Sequence, residues 1–184
     1  MFQVGKGEID EALVKSTADC LAARELIKMK VLDTSTYTAK EAAALLAPYR
    51  LTMPLAFDIE DDVHRKMTTK QRTDITIAFL EEIEKAGYYP MVYASQSWLE
   101  YSLDLTRLTR YDKWVARWAS STSFRPLSMW QYTNKGKVSG ITTNVDLDYS
   151  YKDYTKIVTP RTHALTKADT GKTVSAQTTT RPAP

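Results

Sequence analysis

Five short apolar runs recur between residues 53 and 147: MPLAFDI (53–59), YPMVYA (89–94), KWVARW (113–118), LSMWQY (127–132) and ITTNVDL (141–147). Each has the length of a buried strand and is too short for an ordinary helix. Lys30–Leu32 is a weaker sixth run. Segments of helical period stand among them. From Ile9 to Met29, the residues Leu13, Cys20, Leu21, Ala23 and Leu26 fall at apolar helical positions. A second helix, Thr38–Leu46, opens with Thr38 and Glu41 in capping-box spacing. The third has Thr68 and Gln71 as a capping-box pair, Ile75, Ala78, Phe79, Ile83 and Ala86 as an apolar stripe, and Gly87 as C-terminal cap. Strands alternating with helices predict an α/β fold built on a parallel sheet.

Composition narrows the possibilities. The chain has 184 residues, 43% hydrophobic and 26% charged, enough for one packed domain. The net charge of +3 is unevenly placed. Residues 155–184 carry Lys156, Arg161, Lys167, Lys172 and Arg181 against Asp169 alone, a balance of +4, which leaves −1 on residues 1–154. A body without excess positive charge does not suit phosphate neutralisation, so nucleic acid is not the expected partner. The last thirty residues hold nine Thr, three Pro and no Phe, Trp or Tyr, too little apolar surface to offset the entropy of ordering them. The expected organisation is a folded body, 1–154, and a basic Thr/Pro-rich linker or disordered tail, 155–184. No run approaches the eighteen or so apolar residues of a membrane span, and no signal-peptide pattern opens the sequence. Cys20 has no partner for an internal disulfide and reads as a buried structural thiol.

Polar and acidic residues recur where the apolar runs end: Asp58 and Glu60, Ser95, Gln131, and Asp146. Open α/β sheets and α/β barrels place their ligands at the C-terminal ends of their strands. In an extended segment, residues i and i+2 face one side, so Asp58 and Glu60 project together, about 7 Å apart along the backbone. Phe57 and Ile59 then face the opposite layer. Asp146 and Asp148 repeat the spacing. Carboxylates gathered in one mouth can hold different protonation states, one acid protonated beside an ionised neighbour, which is the division of labour of a glycosidase. Tyr93, Trp98, Trp114, Trp118, Trp130 and Tyr132 crowd the same strand ends. Their rings suit the C–H faces of sugars, with core packing as the competing reading for each. Tyr93 and Trp118 are the better candidates for ligand contact. Asp61 and Asp62 are expected on a solvated loop, and Asp104 and Asp112 as loop or capping residues. His64 and His163 are expected in solvent.

In this order and spacing, PLAFDIEDD, GYYPMVYASQSWL, YDKWVARW and MWQYTNKGKVSGITTNVDLD resemble family 25 of the glycoside hydrolases, the lysozyme-like N-acetylmuramidases. The resemblance is specific over roughly residues 53–149, weaker over 8–50 and absent from the tail. It implies an α/β fold, an irregular TIM-like β/α barrel. It also implies cleavage of the β-1,4 bond between N-acetylmuramic acid and N-acetylglucosamine in peptidoglycan, with no metal or other cofactor. Carried onto this chain, Glu60 corresponds to the general acid, Asp58 to the acid that tunes the site, and Asp146 to the acid on the last strand. Trp130 and Gln131 correspond to the family's WQY strand, and Tyr93, Trp118 and Gln131 are the expected substrate contacts. Asp148 stands where the family often has Asn, which implies a hydrogen-bonding role.

The chain also departs from the family pattern. Members begin with a strand bearing an Asp-x-Ser-like motif, and nothing before FQVGKGEID supplies it. The barrel is therefore expected to be N-terminally incomplete, and 154 residues fall below the roughly 200 that a closed barrel takes. The alternative is a non-catalytic peptidoglycan-binding remnant of the same fold. A Mg²⁺-dependent phosphodiesterase is a third reading, since acid-rich oxygen ligands suit hard cations. The absence of excess positive charge on the body and the lack of a well-placed histidine count against it. The expected partner is bacterial peptidoglycan, the expected state a monomer, and the expected place of action extracellular or cell-wall-directed.

Overall fold

The computed structural model of the chain describes residues 2–4, 29–31, 40, 46 and 51–158. The expectations for most of the helices over 9–29 and 38–46, for Cys20, and for the tail from 159 onward with His163 lie outside them. The described residues fall into two compact units, one drawn from 1–55, 78–90 and 154–184 and the other from 56–77 and 91–153.

The first unit contains two short parallel strands, β1 (Phe2–Val4) and β2 (Met29–Val31), in the register Phe2↔Met29 to Val4↔Val31. Strand β2 corresponds to the weak run at 30–32, shifted by one residue, whereas β1 was not anticipated. Leu46, Leu51, Leu55, Ile83 and Tyr88 form an apolar cluster, with Phe79 and Ala86 packed on it.

The five stronger runs form one mixed sheet in the order β3-β4-β5-β6-β7. Its strands are β3 (Leu55–Asp58), β4 (Pro90–Ser95), β5 (Asp112–Ala116), β6 (Met129–Gly136) and β7 (Val145–Ser150). The pairs β4–β5 and β5–β6 are parallel, as the alternating pattern predicts. The pair β6–β7 is antiparallel, which corrects the expectation of a wholly parallel sheet. The reason is chain length. Residues 137–144, turning at Gly140 with φ 84°, are fewer than the dozen or so that a parallel crossover needs.

Two short helices and a long one carry the chain between strands: α1 (Asp62–Arg65), α2 (Thr69–Lys85) and α3 (Gln96–Ser102). Helix α2 begins as its capping box dictates. The Thr68 N–H donates to Gln71 Oε1 at 2.9 Å, and the Gln71 N–H returns to Thr68 Oγ1 at 3.2 Å. It ends in a Schellman motif at Gly87, whose φ is 86°. There the Tyr88 N–H donates to Ile83 O and the Gly87 N–H to Glu84 O. The buried stripe is rotated from the expected one. Thr73, Thr76, Leu80 and Ile83 are buried and Ala78 is exposed. The two threonines bury their methyls because their hydroxyls donate back to the carbonyls of Thr69 and Arg72.

After β7, helix α4 (Tyr154–Ile157) buries Tyr154, which meets Tyr89 edge-on, and Val158 is buried just beyond it. The first residues assigned to the tail, 155–157, are thus helical and Val158 is buried. No helix among the described residues is long and apolar enough to cross a membrane.

Candidate active site

Sheet register decides which side chains can meet. Tyr93 pairs with Trp114 and Trp114 with Met129; Ser95 pairs with Ala116, Ala116 with Gln131, and Gln131 with Asp148. Laterally paired residues share a face, so these two rows line one side of the sheet. Trp130, Tyr132 and Tyr149 lie on the other side and pack on one another, Tyr132 and Tyr149 stacked at 4.6 Å. Trp130 is buried there, with its Nε1–H on Arg117 O. Trp98 is buried in α3, with the guanidinium groups of Arg65 and Arg72 over its ring. Three of the six aromatic candidates thus leave the site to the others.

The acids gather at one end of the strands, on the site face. Asp58 is the last residue of β3 and is nearly buried. Its Oδ1 accepts the Glu60 N–H at 3.4 Å. Glu60 Oε2 accepts the backbone N–H of Ser95 at 2.6 Å, a short contact at the end of β4. Asp146 is the second residue of β7, which runs antiparallel, so it stands at the start of its strand rather than at the C-terminal end the sequence suggested. Antiparallel pairing brings that start to the end of the sheet where the parallel strands finish. The Tyr93 hydroxyl registers all three acids. It is pushed up first by burial, then by the negative charges of Glu60, Asp58 and Asp146, against a smaller opposing pull from its hydrogen bond to Gln131.

Gln131 ties the aromatic residues to this end. Fully buried, it accepts on Oε1 from the Tyr93 hydroxyl at 3.0 Å and from the Trp118 Nε1–H at 3.1 Å. An indole N–H only donates, so it fixes which end of the Gln131 amide faces Trp118. Tyr93 and Gln131 are 4% and 1% exposed, while Trp118 is 60% exposed. Of the three expected substrate contacts, Trp118 alone presents a ring face to solvent. Trp114 meets Tyr93 edge-on at 5.0 Å and donates its Nε1–H to Asp148 at 2.6 Å. Asp148 therefore has the hydrogen-bonding role expected of it.

The remaining acids have structural duties. Asp61 caps α1, and Asp62 is exposed and pairs with Arg65. Asp104 accepts from the Thr106 N–H and hydroxyl, and buried Asp112 pairs with Lys152 at 2.7 Å. His64 is not simply solvated, since its ring packs against Phe57 at 6.4 Å. Among the described residues, no group of three or more His, Cys, Asp or Glu is disposed to hold a metal ion.

The sequence reading missed Gln96. It is buried at the start of α3; its Oε1 accepts from the Thr122 hydroxyl at 2.8 Å, and its Nε2 donates to Ser123 Oγ at 3.1 Å and Glu100 Oε1 at 2.8 Å. A polar residue directly after a strand-ending Ser95 was the available signal.

Solved structures share the fold. No curated protein matches the sequence. Among solved structures, the CTP1L endolysin superposes with a TM-score of 0.61 at 23% identity, covering 85% of this chain and 58% of that one. The catalytic domain of endolysin ply40, from a bacteriophage of Listeria monocytogenes, gives 0.58 at 20%, covering 85% and 82%. The modular autolysin LytC from Streptococcus pneumoniae, in complex with a synthetic peptidoglycan ligand, gives 0.57 at 21%, covering 79% and 39%. At these identities the likeness is one of fold, and the chain spans 58% of the CTP1L endolysin. A model of the CRS1 / YhbY (CRM) domain matches residues 1–49, a minor part of the chain. The model of glycosyl hydrolases family 25 matches residues 31–141, which include Asp58, Glu60, Tyr93, Trp118 and Gln131. That match spans more than half of the sequence, and the chain belongs to family 25 of the glycosyl hydrolases.

Proposed function

We propose that the chain is a peptidoglycan hydrolase of the lysozyme type, cleaving the β-1,4 bond between N-acetylmuramic acid and N-acetylglucosamine. The observation that carries this reading is the grouping of Glu60, Asp58 and Asp146 about Tyr93, with the exposed Trp118 indole tied to Tyr93 through Gln131. Glu60 protonates the glycosidic oxygen as the leaving sugar departs, and water then adds to the anomeric carbon, its proton returning to the Glu60 carboxylate. Asp58 and Asp146 counter the positive charge that grows on the ring being cleaved. Trp118 offers its face to a sugar, and Tyr93 and Gln131 hold the polar side of the site.

In the same reading, the five-stranded sheet is part of an irregular TIM-like β/α barrel, and the body is followed by a linker or tail. Support comes from the endolysin CTP1L, which this chain matches over 85% of its own length and only 58% of the other. The proposed place of action is the bacterial cell wall, and the proposed state a monomer.

Turbidity of purified cell walls tests the reading. It falls with the wild-type chain and stays level with Glu60→Gln. Equal clearing by both proteins overturns the role of Glu60. Wall binding with no release of reducing ends by either protein identifies a non-catalytic peptidoglycan binder instead.

A further inference from the structure

Gln96 lies outside the acid cluster and touches none of the residues assigned to substrate, yet its position joins two parts of the site. On one side, the residue before it, Ser95, gives its N–H to Glu60 Oε2. On the other, its own amide binds Thr122 and Ser123 in the loop that follows Trp118. The loop is otherwise braced by contacts of its own: Arg117 Nε donates to Ser121 O, the Phe124 N–H donates to Thr122 Oγ1, and the Phe124 ring is buried. Gln96 is the side chain that fastens this braced loop to the first turn of α3. Glu100, one turn on, accepts from the same Nε2 and holds the amide in its orientation.

We infer that Gln96 is a positioning residue: it couples the β5–β6 loop, and through it the exposed Trp118 indole, to the backbone segment that holds the Glu60 carboxylate. This rests on the reading of Trp118 as the sugar-facing ring. Buried amides with every donor and acceptor engaged fix one geometry and are costly to leave half-satisfied. Loss of the Thr122 or Ser123 bond frees the loop to move while the sheet beneath stays paired. The indole then loses its fixed plane and its bond to Gln131.

Fluorescence isolates the effect, because Trp98, Trp114 and Trp130 are buried and Trp118 is not. The fast component of tryptophan anisotropy decay is measured on the full chain, taking Trp118→Phe as the blank. In parallel, the affinity for a soluble tetrasaccharide of alternating N-acetylglucosamine and N-acetylmuramic acid is measured by titration. Gln96→Ala and Thr122→Val are expected to enlarge the fast component and weaken tetrasaccharide binding about tenfold, since small misplacement of a binding group is enough for such a loss. Thr122→Ser, which keeps the hydroxyl, is expected to behave as wild type in both readouts. Wild-type anisotropy in Gln96→Ala and Thr122→Val overturns the inference, whatever happens to their melting temperatures. Trp118→Ala separates this result from the functional reading. If it binds the tetrasaccharide as wild type does, the sugar-facing role of Trp118 fails, while the anisotropy still decides the coupling.

Discussion

The backbone N–H of Ser95 donates to Glu60 Oε2 at 2.6 Å, so the proposed general acid is held by main chain rather than by another side chain. Ser95 has φ −61° and ψ 151°, and its own side chain makes no capping bond to α3. Its backbone is already that of a proline, and it follows a strand residue that tolerates one. Ser95→Pro therefore deletes the donor without forcing a new backbone conformation. We expect kcat on solubilised peptidoglycan to fall about tenfold or more, since the bond fixes the carboxyl group in place and a small misplacement of an acid is enough for such a loss. Ser95→Ala, which keeps the N–H, should stay within about twofold of wild type.

Tyr93 makes stability fall at high pH. Burial and the three acids raise its hydroxyl above the ordinary value, so the folded state favours the neutral phenol. An unfolded tyrosine releases its proton near pH 10 or so. Above that pH the unfolded chain binds fewer protons than the folded one, and stability decreases as pH rises. The contribution is complete below about pH 10 and is lost progressively above it. Urea midpoints at about pH 9 and about pH 11 should fall further for wild type than for Tyr93→Phe, narrowing the gap between them. Tyr88, raised to about 12 by burial, is present in both proteins and cancels from the comparison.

Arg72 braces the segment that follows Glu60. Its Nε donates to Ser102 O at 2.8 Å, and its Nη1 donates to Met67 O at 2.7 Å and His64 O at 3.2 Å. One guanidinium thus joins the α1 segment to the end of α3. Arg72→Met keeps the apolar stem over Trp98 and removes every donor. It is expected to cost about 3 kcal/mol, read from the urea midpoint at unchanged slope. Arg72→Lys should recover only part of this, because an ammonium cannot reproduce the planar fork.

How much of this was legible in the sequence depended on whether the signal was local. The capping box of Thr68 and Gln71 and the cap at Gly87 were readable because each motif closes within four or five residues of itself. The strands were readable from short apolar runs, and Asp58 falls at the end of its run, whereas Glu60 lies two residues beyond β3, outside the strand whose alternation was to have placed it. The direction of β7 was not, since it follows from the length of the 137–144 connection rather than from the run itself. Asp146 therefore stands at the start of an antiparallel strand and not at the C-terminal end of a parallel one, as the run suggested. The burial of Thr73 and Thr76 was hidden because their polarity is cancelled by hydrogen bonds to carbonyls four residues back. The sorting of the aromatics needed register: Trp130 and Gln131 are neighbours in sequence and lie on opposite faces. Gln96 offered only its place after the strand-ending Ser95, because its loop partners lie 26 and 27 residues away.

The most direct measurement is the identity of the new reducing end. Purified peptidoglycan is digested with the wild-type chain, the products are reduced with borohydride, and the sugar alcohol is identified by mass spectrometry. The account predicts that N-acetylmuramic acid alone is converted to its alcohol. It also predicts that Glu60→Gln slows the release at least about a hundredfold, as expected for loss of a general acid. Reduced N-acetylglucosamine at the new ends, or release by Glu60→Gln at the wild-type rate, would contradict it.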